Sequence, residues 1–115
     1  MSTAEESLVD RVRAALAQEP DVREVRMFGG LSFMVRGAML VAARGDQSLL
    51  VRVDPDRSAE LLTCPGAARA EMGAGRDMGP GWIRVDGAAL TDDDALAFWL
   101  GAAGEHHARL VAHSA

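Results

Sequence analysis

A chain of 115 residues with 49% apolar content is long enough for one domain with a hydrophobic core and too short for two. Its 17 acidic residues outnumber 12 basic ones, and the resulting net charge of -5 excludes a global positive field that would gather nucleic acid or an anionic membrane. The single cysteine, Cys64, excludes an intrachain disulfide.

Taken in order, Thr3 and Glu6 have the spacing of a capping box, and Leu8, Val12, Ala15 and Leu16 follow at helical spacing up to Pro20. A helix is predicted over 4–18. Val25 and Met27 alternate with Glu24 and Arg26, and beyond Gly29 and Gly30 the alternation resumes at Leu31, Phe33 and Val35. These are two strands about a glycine kink. The turn at Arg36-Gly37 leads to a third strand over 38–43, and Arg44-Gly45-Asp46 leads to a fourth over 48–53. Asp54 is placed to cap a short helix beginning at Pro55 and ending near Thr63. From Cys64 to Gly81 the composition turns to Gly, Ala and Pro, which predicts a mobile loop with one helical turn near Ala67 to Glu71. Trp82 to Val85 reads as the last strand. Thr91 is the predicted cap of a final helix, with Asp92, Asp93 and Asp94 against its positive end and Leu96, Leu100, Ala103, His107 and Leu110 as its buried stripe.

This order, α-β-β-β-β-α-β-α, predicts a two-layer α+β domain over 1–115, with an antiparallel meander sheet and helices packed on one face. Glu5 and Glu6 stand where an export signal would carry positive charge, and no run approaches the ~20 apolar residues of a membrane span, so a cytoplasmic protein is expected.

Arg26-Met27-Phe28-Gly29-Gly30, then Gly37 with Met39 and Leu40, then Leu49 to Asp54, and finally Gly81-Trp82 and Trp99 resemble the TfoX N-terminal domain family over roughly residues 8–105. The resemblance implies a fold similar to secretion chaperones and kinship with TfoX/Sxy regulators of DNA-uptake competence. It brings no catalytic residues with it. In that reading Met27, Phe28, Gly29, Gly30 and Trp99 are structural, and the chain is a small non-enzymatic regulatory or protein-interaction module.

Chemistry-bearing patterns are sparse. Gly73, Gly75 and Gly79 miss the dinucleotide-binding spacing by one residue, and no strand precedes them. His106 and His107 are adjacent on a helix and so point about 100° apart, and the i+4 partner of His106 is Leu110, so no metal site is expected. No cofactor is expected either. Strand alternation places Arg26, Phe28, Met34, Leu40, Leu50, Arg52, Trp82 and Arg84 on the sheet face away from the helices. A mixture of aromatic, Met and Arg side chains predicts a homodimer or a protein-binding face centred near Leu50 and Trp82, or else a face covered within one monomer by sheet curvature and the Gly-rich segment. Two alternatives use the same residues or their neighbours. Arg26, Arg52 and Arg84 could clamp an anionic ligand or nucleic acid, with Trp82 or Phe28 as stacking surfaces. An enzyme would need a reactive thiol at Cys64.

Overall fold

The computed structural model describes residues 4–27, 29–71 and 75–114. Helix α1 (Ala4–Ala15) is followed by strands β1 (Val22–Met27), β2 (Gly30–Val35), β3 (Ala38–Arg44) and β4 (Leu49–Arg52). A 3-10 turn over Pro55–Arg57 enters the short helix α2 (Ser58–Leu61), and then come β5 (Ala67–Arg69) and β6 (Trp82–Val85). A second 3-10 turn, Gly87–Leu90, precedes the long helix α3 (Asp93–Ser114). The strands form one antiparallel sheet in the order β1-β2-β3-β4-β6-β5. The architecture is α+β, as the strand meander and grouped helices lead one to expect.

Tight turns set the register. Met27 pairs with Gly30 across the first hairpin, where Gly29 takes a φ of 77° that a side chain disfavours. A Cβ on Gly30 would lie 2.1 Å from the Ala43 carbonyl oxygen, so the second glycine lets β2 approach β3. At the next turn Arg36 and Gly37 have φ of 53° and 84°, and Val35 pairs with Ala38. Positive φ at both central residues matches the twist of a two-residue hairpin.

The helices cover one face. Leu8, Val12 and Leu16 from the α1 segment and Leu96, Trp99, Ala102 and Ala103 from α3 are buried against Phe33, Val41, Leu49, Val51, Ile83 and Val85 of the sheet. Each large aliphatic side chain taken out of water contributes about 1.5–3 kcal/mol before entropy is counted. Buried His107 closes the stripe, its Nε2–H donating to the Val35 carbonyl at 2.6 Å.

Four sequence expectations are corrected here. First, α1 ends at Ala15 rather than near 18: Leu16 N–H still makes an α-type bond to Val12 O, and the chain then tightens to i→i−3 bonds at Ala17 N–H to Ala14 O and Glu19 N–H to Leu16 O. The Thr3 end of its capping box lies outside the described residues. Second, Asp92 rather than Thr91 caps α3: its carboxylate accepts from the Asp94 N–H at 2.9 Å, while Thr91 closes the preceding 3-10 turn. Either oxygen-bearing side chain satisfies the sequence pattern, and the intervening 3-10 turn shifts the start by one residue. Third, Leu40 joins the helix-side core instead of the opposite face. The pairing jumps from Phe33–Val41 to Met34–Met39, so Leu40 is the extra residue of a bulge that turns two successive side chains inward. Fourth, the helical turn expected near Ala67 to Glu71 does not form. Ala67–Arg69 forms the edge strand β5 against β6, and Glu71 bridges to Asp77. Local glycines do not report strand pairing made possible by a neighbour, which is why the composition misleads.

Candidate functional site

The face away from the helices carries its own small core. Cross-strand register puts Val25, Ser32, Ala42, Leu50 and Arg84 in one row, with Arg52 opposite Trp82 beside it. Leu50, Ala42 and Met39 are buried with Ala70, and Met34, Met78 and Trp82 pack around them partly exposed. The cover is the chain after β5. Met78 N–H bonds back to the Ala70 carbonyl at 2.9 Å, Arg69 Nε donates to Asp77 at 2.7 Å, and Asp77 in turn accepts from Gly79 N–H at 2.8 Å. These bonds fold the described parts of 69–79 into an arm over the sheet. Leu50 therefore lies beneath it, with no surface left to offer a partner; of the two expectations for this face, cover by the Gly-rich segment holds at Leu50 and an open face centred there is corrected, since alternation shows which face a residue occupies but not what covers it.

What stays accessible lies at the margins of this arm. The Arg52 guanidinium sits over the Trp82 ring, 5.5 Å from its centroid, a distance at which a cation is drawn to the ring face. Behind this pair, on the C-terminal half of α3, His106 is held below its ordinary pKa of 6.5, first by burial and then by the positive charge of Arg52, with Asp54 opposing. Asp54 caps the 3-10 turn through Asp56 N–H at 3.0 Å and also receives Arg109. At the other end of the row Arg84 reaches Asp46 at 3.3 Å. Asp46 is pulled down to a pKa of about 2, chiefly by the Ser48 hydroxyl at 2.5 Å, with further help from the Ser48 N–H and Arg84 against the cost of burial.

The three arginines singled out from the sequence are not brought together. Arg52 and Arg84 share the outer face on adjacent strands. Arg26 pairs with Leu31 in the row that continues through Ala43, Leu49 and Val85, which is the helix side, and it lines a cleft of about 370 Å³ with Asp10 and Arg13 of α1. The two-residue hairpin loop between Met27 and Gly30 fixes this parity. Phe28 lies outside the described residues. Cys64 is partly buried against the helix-side core, its N–H bonded to Leu61 O at 3.1 Å. Trp99 is 2% exposed and meets Phe98 edge-on.

One feature escapes the sequence reading. A cleft of about 660 Å³ opens between the end of α1, the β2–β3 turn and α3, floored by Leu16, Val35 and Leu40 and walled by Gly101, Gly104 and Ala108. The spacing of those small residues on one helical face was the available signal. His107 also borders it, with Nε2 already committed to Val35.

No helix among the described residues is long and apolar enough to cross a membrane. The fold is similar to that of the Deinococcus radiodurans protein DR2400, described by its domain DUF419, with a TM-score of 0.59 and 22% identity over 80% of this chain and 72% of that one. At that identity the likeness concerns the fold alone. Among curated proteins none matches the sequence at a significant level. The family model of the TfoX N-terminal domain matches residues 14–107, a span that includes the Gly29-Gly30 hairpin, the whole sheet and the buried Trp99, and the chain belongs to the TfoX N-terminal domain family.

Proposed function

We propose that this chain is a small regulatory or protein-interaction module whose contact surface is the margin of the outer sheet face, with the Arg52–Trp82 pair at its centre. The observation that carries the reading is the company Trp82 keeps: a stacked Arg52 and the partly exposed Met34 and Met78 around a closed patch of Leu50 and Ala42. Aromatic, Met and Arg side chains side by side are the residues that protein interfaces gather, and an anchor partly shielded at its edge is the arrangement of an interaction hot spot. Kinship with TfoX/Sxy regulators agrees with such a role. The competing reading as a nucleic-acid binder has less behind it, because Arg26 faces α1, Arg84 is engaged by Asp46, and the chain carries a net charge of -5.

Affinity capture from native lysate with wild type, Trp82→Ala and Arg52→Glu tests the proposal, with circular dichroism as the check on folding. Folded variants should lose a protein that the wild type retains. Capture of the same proteins by all three would overturn it. A titration with single-stranded DNA at low salt should show no saturable binding, and tight binding abolished by Arg52→Glu would favour the nucleic-acid reading instead.

A further inference from the structure

Strand β1 ends the sheet, and its six residues pair without interruption on one side only, with β2. Which of its backbone groups face outward follows from the register. Arg36 N–H donates to Asp21 O at 3.1 Å, so 21 and 36 form a hydrogen-bonded pair. In an antiparallel ladder such pairs alternate, and 23–34, 25–32 and 27–30 are then the bonded pairs while Val22, Glu24 and Arg26 point their N–H and C=O groups away from the sheet. Natural sheets guard a regular edge of this kind with Pro, a bulge or charged side chains. The β1 sequence Val22-Arg23-Glu24-Val25-Arg26-Met27 has neither Pro nor a bulge, and its three charges alternate in sign, so they oppose a strand of like charge pattern in some registers and match it in others. The opposite edge, β5, is three residues long and runs directly into the arm.

We propose that β1 pairs antiparallel with β1 of a second copy of this chain about a two-fold axis at Val25, joining the two sheets edge to edge. Outward-facing residues must meet outward-facing residues, which leaves few registers. Centred on Glu24, the strands set Glu24 against its own copy. Centred on Arg26, they set Arg26 against itself, and centred on Arg23 they oppose Arg23 to Arg23. Centred on Val25, Glu24 of each protomer lies opposite Arg26 of the other, both pairs exchange their N–H···O bonds, and opposite charges replace like ones. The residue brought onto the axis is Val25, which at 37% exposed is one of two large apolar side chains left in water among the described residues. Glu24 enters this arrangement already oriented, since Arg13 of α1 grips both of its carboxylate oxygens at 2.8 Å. Asp10 balances Arg13 at 3.2 Å, so the dimer would align Asp10, Arg13, Glu24 and the other copy's Arg26 as a chain of alternating sign along the α1 side. This contact uses neither Arg52 nor Trp82 and stands apart from the interaction surface proposed above.

Position 25 supplies the decisive probe. At a non-hydrogen-bonded pair on the axis the two Cα atoms lie about 4.5 Å apart, within disulfide range. In a Cys64→Ala background, Val25→Cys should therefore oxidise to a linked dimer on a non-reducing gel, while Arg23→Cys, opposite Met27, should stay unlinked. Wild type should sediment at twice the 12.2 kDa chain mass, and Arg26→Glu should weaken dimerisation by at least roughly tenfold without loss of circular dichroism, because it opposes two carboxylates twice over. A wild type that stays monomeric at hundreds of micromolar overturns the proposal, as does linkage at 23 in place of 25. A dimer that survives Arg26→Glu but is lost on Trp82→Ala would place the contact on the outer face and overturn it equally.

Discussion

The two faces of the sheet are both closed, but by covers of different kinds. On the helix side, side chains from opposite ends of the chain meet: Leu8 and Val12 of α1 and Leu96 and Trp99 of α3 pack on the same strands. On the other side one short stretch of chain, the arm between β5 and β6, folds over β3 and β4, and the buried apolar residues of the patch beneath it are, among the described residues, Met39, Ala42, Leu50 and Ala70. A face covered by distant elements can be broken only by loosening the whole fold, whereas a face covered by a local arm can open while the rest stays intact. That difference places the accessible Met34, Met78, Arg52 and Trp82 around the arm rather than around the helices.

The comparison breaks most sharply at Trp99. Trp99→Ala should cost about 3–5 kcal/mol in urea denaturation, since it removes the largest side chain of the helix-side core from a site that cannot collapse around the loss. Leu50→Ala should cost less, about 2–3 kcal/mol, because the arm can settle onto the smaller residue. Equal losses at the two sites would mean that both covers are equally rigid.

The difference between the faces also marks what the sequence could tell. Alternation at Leu31, Phe33 and Val35 and at Leu49, Val51 and Val53 was enough to find the strands and the helix-side core, because each inward residue is apolar whatever lies above it. The same alternation found Leu50 and Trp82 on the opposite face. It offered cover by the Gly-rich segment only as an alternative to an open face, because closure depends on the Arg69–Asp77 pair, the Met78 N–H and one small buried residue, Ala70, none of which stands out from a glycine-rich stretch. Periodicity also failed at Leu40 and Arg26. A bulge reverses one parity and the length of a hairpin loop sets the other, and neither is carried by polarity. The Arg52–Trp82 pair was legible as two members of one face, but the three-arginine clamp was not real, since its third member sits behind the sheet.

A smaller effect separates the faces by pH. Asp46 anchors the turn before β4 and holds Arg84 of the outer row, and its folded pKa of about 2 lies below the ordinary 3.8. A depressed carboxylate pKa means that the unfolded chain takes up the proton first, so this stabilisation is complete above about pH 4 and is lost as pH falls through the interval down to about 2. Asp46→Asn should lower stability by about 1 kcal/mol at neutral pH, a modest figure because the side chain is 55% exposed. The gap between variant and wild type should close as the solution approaches pH 2 in acid titrations of unfolding. A gap that stays constant with pH would show that shape, not charge, holds the turn.

The smallest effect tests the arm itself. Arg69 and Asp77 are both about half exposed, so solvent screens their 2.7 Å ion pair and Arg69→Ala should barely move the denaturation midpoint. Its local consequence should be larger than its global one. Asp77 also receives the Gly79 N–H, and the turn it shapes positions Met78 to donate its own N–H to Ala70. Removing the guanidinium frees one side of that turn, and the Met78 amide should exchange several-fold faster in the variant while the amides of Val41 and Val51 keep their protection. Exchange that rises equally at Met78 and Val51 would mean that arm and sheet open as one unit, and the contrast between a locally closed face and a globally closed one would fall with it.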